Sequence, residues 1–288
     1  MALNPRKPLG GKAYGSIPHL PSSRLGPGDW SCPEGQQRIC WERARDGQDR
    51  IIVTEKLDGS CCAVANIAGA IVPLVRAGYP ARTSPHLQHH LFADWVAERA
   101  IRIAMVLEPG QRIVGEWLAQ AHGTRYLVRC PFVAFDLFQG RERAPHDAFL
   151  DAAGGCGFVT AAVLHDGGPI HLDAILPMLA SSRHHALDPV EGAVWRVERR
   201  GRFDFIAKWV RPDKQDGYLL PEMSGQAPVW NWWPAHVTGA TADWLARGLH
   251  SYQDLVSDLA RELGCEPDNE TILAAVAALK NPNLPPEA

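Results

Sequence analysis

Apolar positions along this chain follow two periods, and the changes between them outline its elements. Between residues 50 and 75 they come in short runs rich in β-branched side chains, at 51–53, 61–67 and 70–75, with Gly69 between the last two. Runs of that length, closed by glycine-containing turns, predict strands. Over 91–107 the spacing becomes helical, with Leu91, Trp95, Val96, Ile101 and Met105 near one period and Pro109-Gly110 as the stop. Strand-like runs return at 112–117 and 132–138. A helix is predicted over 148–157, a strand over 158–164 and a further helix over 171–181. Two more strands, 191–197 and 205–210, are joined through Gly201.

The flanks read differently. Residues 1–35 are rich in glycine and proline and carry Arg6, Lys7 and Lys12, which predicts an irregular arm with one packed segment at 17–20. After Tyr218 a proline- and glycine-punctuated connector surrounds Trp230, Trp232 and Trp233. These tryptophans pack a small domain onto its neighbour or, alternatively, stack on bases. Two amphipathic helices are expected beyond it. One covers 242–263 with Leu245, Leu249, Leu255, Leu259 and Leu263 inward; the other covers 270–279 behind the cap Asp268. The expected division is an arm (1–35), a β-rich domain (36–220) and a helical C-terminal domain (221–288).

Composition adds bounds. A chain of 288 residues, 46% hydrophobic and 21% charged, suits a soluble protein with one large core and a small appended unit. A net charge of −3 gives no global sign of nucleic-acid binding, so such a surface must be local. The clearest excess lies between Arg196 and Lys214, where Arg199, Arg200, Arg202, Lys208 and Arg211 also fall, against only Glu198, Asp204 and Asp213. Seven scattered cysteines without a Cys-x-x-Cys pair predict reduced thiols and a cytoplasmic protein. No signal-like segment follows Met1 and no long apolar run suggests a membrane span. His86, His89 and His90 lack a completing carboxylate or cysteine and read as a solvated helix start, not a metal site.

Candidate chemistry sits at strand ends. Lys56, in Thr54-Glu55-Lys56-Leu57-Asp58-Gly59-Ser60, closes the first strand, where an ammonium must be solvated, paired or used. Arg76 follows the third strand, and Arg82 is a second candidate in the same loop. Glu116 lies in Gly115-Glu116-Trp117, Phe135 inside an aromatic strand, Glu191 before Gly192, and Lys208 in Ala207-Lys208-Trp209. Any one of these features recurs by chance; six in one order do not.

In order and spacing these motifs resemble the covalent nucleotidyltransferases (DNA ligases, RNA ligases and capping enzymes) over roughly residues 50–214. The resemblance implies an α+β fold: a nucleotidyltransferase domain built on antiparallel β-sheets flanked by helices, with a small helical C-terminal domain. It implies attack of Lys56 on the α-phosphorus of ATP, with Lys208 beside that phosphate and Glu191 holding Mg²⁺ or Mn²⁺. Arg76, or Arg82, would meet a phosphate. Glu116 would bind the ribose, Phe135 would stack on adenine, and Glu55 would meet the base edge through its backbone. A free lysine titrates near ~10.4, so the nucleophile needs nearby cations, metal or desolvation to lose its proton.

The Gly-Glu-x-x-x-x-x-His-Gly form, Gly115 to Gly123, and a helical rather than β-rich C-terminus are similar to the RNA ligase 2 group. That group implies a monomer sealing RNA ends, in particular nicked duplex RNA. Cys61 and Val210 stand where the family has polar residues, with Arg211 or Lys214 as replacements for the latter. A DNA ligase, or a nucleotide- or RNA-end-binding module with incomplete activity, are the alternatives.

Overall fold

The computed structural model describes residues 6–226 and 228–232. In chain order its strands are β1 (Asp49–Lys56), β2 (Ser60–Ile67), β3 (Ala70–Val75), β4 (Gln111–Trp117), β5 (Phe132–Gln139), β6 (Glu142–Arg143), β7 (Val159–Thr160), β8 (Val163–Gly167), β9 (Gly192–Arg199) and β10 (Arg202–Val210). The helices are α1 (Glu34–Trp41), α2 (Leu87–Ala104), α3 (His146–Cys156), α4 (Leu172–Ile175) and α5 (Pro221–Ser224).

Strands divide between two sheets, one ordered β10-β9-β1-β8 and the other β3-β2-β4-β5-β6. All of these pairings are antiparallel; the short β7 adds one parallel pairing to β5. The α+β class with antiparallel sheets and flanking helices is therefore as expected. The strand expected over 158–164 is two strands instead. After β7 the chain leaves one sheet at Ala161 and enters the other as β8, against β1. The helix expected over 171–181 is one α-turn continued by a 3-10 turn containing Pro177, whose ring and missing N–H oppose a longer α-helix.

Two cores explain the layers. One packs α2 and α3 on the larger sheet through Phe92, Trp95, Trp117, Phe132 and Phe149. The other covers the outer face of the smaller sheet, where Ile51, Val53, Trp195 and Trp209 meet Leu20 and Trp41. On α2 the inward stripe is Leu91, Phe92, Trp95, Val96 and Ile103. Ile101 and Met105 fall off that stripe and are 83% exposed.

Residues 12–31 contain no helix, yet Ala13, Tyr14, His19 and Leu20 are buried. The arm is irregular but packed. Trp230 joins the larger core and Trp232 lies 5.6 Å from Trp117, ring to ring, so both serve packing. Trp233 and the two C-terminal helices expected over 242–263 and 270–279 lie outside the described residues. Among the described residues no helix is long and apolar enough to cross a membrane.

Candidate active site

Strand parity decides which side chains reach the space between the sheets. Successive residues of a strand point to opposite faces. Along β1, Ile51 and Val53 therefore enter the outer core, while Ile52, Thr54 and Lys56 line a cavity of about 1060 Å³. Val194 and Lys208 come to it from β9 and β10, and Glu116 and Phe135 from the other sheet. Glu191, the residue before β9, completes the constellation. The structure thus brings together Lys56, Arg76, Glu116, Phe135, Glu191 and Lys208 around one cavity.

Glu55 has the opposite parity. Its buried carboxylate accepts hydrogen bonds from the Ser182 hydroxyl and, at 2.9 Å, from the Arg183 N–H. Its own N–H donates to Ala162 O at 2.9 Å. That side chain fastens the 182–183 loop to β1, while the residue also borders the cavity.

The Asp58-Gly59 turn is locked from several sides. Asp58 Oδ2 accepts from the Gly123 N–H at 2.9 Å and from the buried Lys214 ammonium, while the Asp58 N–H donates to the Tyr126 hydroxyl at 3.0 Å. Gly59 N–H donates to Glu116 Oε1 at 3.2 Å, and a Cβ on Gly59 would stand 2.5 Å from Trp117 O. Glycine is therefore required by the close approach of the turn to the end of β4, the neighbour of β2 in the larger sheet. Lys214 also donates to Thr124 Oγ1 at 2.7 Å, so it is a buttress of the turn and does not substitute at Val210. Arg211 lies outside the cavity lining and pairs with Asp213 at 3.4 Å. Neither expected replacement faces the cavity, while Val210 itself does.

Lys56 Nζ donates to Glu191 Oε2 at 2.7 Å and lies 3.3 Å from Leu57 O. Burial favours loss of its proton, but the Glu191, Glu116 and Asp58 carboxylates outweigh this and hold the amine above the ordinary lysine range. Of the means named for removing its proton, desolvation acts in the expected direction and is outweighed by these carboxylates. Burial, reinforced by Glu191 and Asp58, pushes the Glu116 carboxyl up to about 8. Burial likewise raises Glu191. Lys208 moves the other way, lowered by burial and by the charge of Lys56.

Of the two loop arginines, Arg76 lines the cavity and its Nη2 donates to Ser16 Oγ at 3.1 Å. Arg82 is committed to Asp94 and does not line it. Phe135 stands edge-on to Tyr14 with ring centres 5.2 Å apart. Cys61 borders the cavity, its thiol raised by burial.

The arm supplies lining residues that motif reading missed. His19, 1% exposed, holds Ser23 Oγ at 2.6 Å and approaches Asp29 at 3.1 Å; Asp29 in turn lies 3.8 Å from Lys208. The only signal was a histidine inside the short segment 17–20. His89 differs from its expected solvated role: it is buried between Ser60 Oγ (2.7 Å) and Ser84 Oγ (2.6 Å), and burial lowers it to about 4. Among the described residues no group of three or more histidine, cysteine, aspartate or glutamate side chains is arranged to hold a metal.

The basic excess between Arg196 and Lys214 does not form a free patch. Arg196 is buried against Asp136 and Glu198, Arg199 pairs with Asp46 and Asp49, and Lys214 pairs with Asp58. Arg200 and Arg202 flank the β9–β10 turn, at the opposite end of those strands from Glu191 and Lys208.

The sequence model of the RNA ligase family matches residues 49–210, from the first residue of β1 to the last of β10. The chain belongs to the RNA ligase family. The match places this family member among ligases of the nucleotidyltransferase type, and the arm and α1 precede the matched span. Solved structures of the Naegleria gruberi RNA ligase are similar to it. A variant with ATP and manganese matches at a TM-score of 0.48 and 18% identity, covering 72% of this chain and 61% of that one. A variant with AMP and manganese gives 0.45 and 16%, covering 69% and 57%. The complex with pyrophosphate gives 0.45 and 17%, also covering 69% and 57%. The chain spans about three fifths of the length of that ligase. Curated proteins gave no match.

Proposed function

We propose that this RNA ligase family member joins 3′-hydroxyl and 5′-phosphate RNA ends, using ATP to form a lysyl-AMP on Lys56. The observation that carries the reading is the Lys56–Glu191 contact of 2.7 Å at a nucleotide-sized cavity that Lys208 also lines. In the first step the neutral Lys56 amine attacks the α-phosphorus, a P–N bond forms and pyrophosphate leaves. A 5′-phosphate oxygen then displaces lysine to give an adenylated end, and the 3′-hydroxyl displaces AMP.

Each residue has a task set by its chemistry. Phe135 offers a ring face to adenine, and Glu116 suits the ribose hydroxyls as an acceptor. Lys208 opposes the charge that grows on the α-phosphate. Arg76, at the rim, meets the phosphate of the incoming end. A divalent cation would be held by Glu191, whose carboxylate reaches the Lys56 ammonium at 2.7 Å on the cavity wall. Mg²⁺ or Mn²⁺ held by Glu191 would offset phosphate charge, and a Glu191 engaged in this way would hold the Lys56 proton less firmly.

α-Labelled ATP with magnesium or manganese tests the reading. Label is expected on the protein, then on the 5′-phosphate of a nicked RNA duplex, then released as AMP with sealing. Arg76→Ala is expected to spare labelling while reducing sealing at least tenfold, and Arg82→Ala to leave both near the parent level. Equal sealing of an all-DNA nick would favour a DNA ligase; labelling without sealing of any nick would favour an end-binding module.

A further inference from the structure

The cations between Arg196 and Lys214 are mostly tied to acids, whereas those of the N-terminal arm are not. Arg6, Lys7 and Lys12 form no ion pair with any described residue, and the first acidic residue of the chain is Asp29. Arg6 and Lys12 are exposed and Lys7 is half-buried.

These cations are held in place by backbone geometry. The N–H of Ala13, next to Lys12, donates to Arg76 O at 3.0 Å, and the N–H of Tyr14 reaches the same oxygen at 3.4 Å. Gly10 N–H closes a turn onto Lys7 O at 2.9 Å. Gly78 approaches Gly11 so closely that a Cβ there would fall 2.0 Å from Gly11 O. Lys7 Nζ sits 4.7 Å from the centre of the Tyr79 ring. The arm and the 76–79 turn thus form one junction, with Lys7, Lys12 and Arg76 fixed around it. Tyr14, Arg76 and Tyr79, which belong to that junction, also line the cavity. Arg76 therefore stands at the cavity, Lys7 beside the Tyr79 ring that also lines it, and Arg6 and Lys12 on the segment joined to them.

We propose that Arg6, Lys7, Lys12 and Arg76 form the track on which an RNA strand's phosphate backbone is led to the Lys56 cavity. The inference rests on the ligase reading above and assigns its polynucleotide surface to residues that precede the family-matched span. Lysine and arginine ammonium and guanidinium groups with no carboxylate beside them suit phosphates, and such contacts carry no base sequence. The track accounts for RNA binding by a chain of net negative charge.

The test compares the parent with Arg6→Ala/Lys7→Ala/Lys12→Ala, none of which lines the cavity. Binding of a fluorescent nicked RNA duplex is titrated by anisotropy across salt concentrations, and adenylation is followed in parallel with labelled ATP. Adenylation is expected to be unchanged. Affinity is expected to fall at least tenfold at low salt, and the slope of log K against log salt to shrink by about 2–3. Lys7→Arg/Lys12→Arg should restore both. Parental affinity and slope in the triple variant would overturn the track even if the protein ligates. A parent that takes no label would overturn the ligase reading, while the titration still decides whether the arm binds phosphate backbone.

Discussion

The two ends of the β1–β9 pair carry similar charged residues and use them in opposite ways. At the far end Arg50 pairs with Asp147 at 2.9 Å and Asp166 at 2.7 Å. Nearby, Arg196 holds Asp136 at 3.0 Å and Glu198 at 2.8 Å, and Arg143 holds Asp136 at 2.6 Å. Every carboxylate there has a guanidinium, and hydrogen bonds from Arg50 lower both Asp147 and Asp166. At the near end, Lys56 faces Glu191, Glu116 and Asp58 together, and the Glu116 and Glu191 carboxyls rise instead of falling. Guanidinium-paired charge specifies structure at the far end; at the near end burial raises two of the carboxyls that share the Lys56 amine, the kind of perturbation that marks a working site.

Substitution should separate the two ends most sharply at Lys56. Lys56→Ala is expected to cut adenylation by at least a thousandfold with a smaller loss of thermal stability than Asp136→Ala, because the Glu191 carboxyl it leaves behind is already raised by burial and can take up a proton. Asp136→Ala should do the reverse. Leaving Arg196 and Arg143 buried without their shared carboxylate costs about 3–5 kcal/mol, a fall in Tm of roughly 6–20 °C for a domain of this size. Calorimetry and labelling of the same two proteins check both arms of the contrast. Loss of stability in Lys56→Ala equal to that in Asp136→Ala would make the near end a structural cluster like the far one.

A smaller effect follows from Glu116. Its folded carboxyl titrates near 8, above the ordinary value of 4.5, so between those pH values the folded chain binds more protons than the unfolded one. That group's contribution to stability is therefore present at low pH and is lost as pH rises toward 8. Glu116→Gln should raise Tm by about 2–4 °C above pH 8 and by less near pH 5. A gain independent of pH would show that the carboxyl is not strained by its neighbours.

Much of the site was legible because its motifs are local. Lys56, Glu116, Phe135, Glu191 and Lys208 sit in short strand-end patterns, and two antiparallel sheets bring those strands to one cavity. What escaped depends on partners distant in sequence. The excess of charge from Arg196 to Lys214 vanishes only when Asp46, Asp49, Asp58 and Asp136 arrive from other elements. Lys214 likewise reads as a phosphate contact until Asp58 and Thr124 are seen beside it. Glu55 is a different case, since strand parity alone forbids adjacent side chains from sharing a face. His19 and Asp29 lie in an arm whose glycines and prolines conceal any period; the burial of His19 comes from pairing of the arm with the Lys208 backbone, where Leu20 N–H donates to Lys208 O at 2.7 Å.

The most direct measurement is adenylation of the full chain followed across pH, with the modified residue located by peptide mass analysis. AMP is expected on Lys56 alone, only with ATP and a divalent cation present. Because the attacking amine must be neutral and its carboxylate neighbours hold it protonated, the rate should climb about tenfold per pH unit from pH 6 until the amine's pKa in the metal–nucleotide complex is reached. AMP on another lysine, or a rate on Lys56 that falls as pH rises from 6 to 8, would contradict the assignment of Lys56 as a nucleophile restrained by its neighbouring carboxylates.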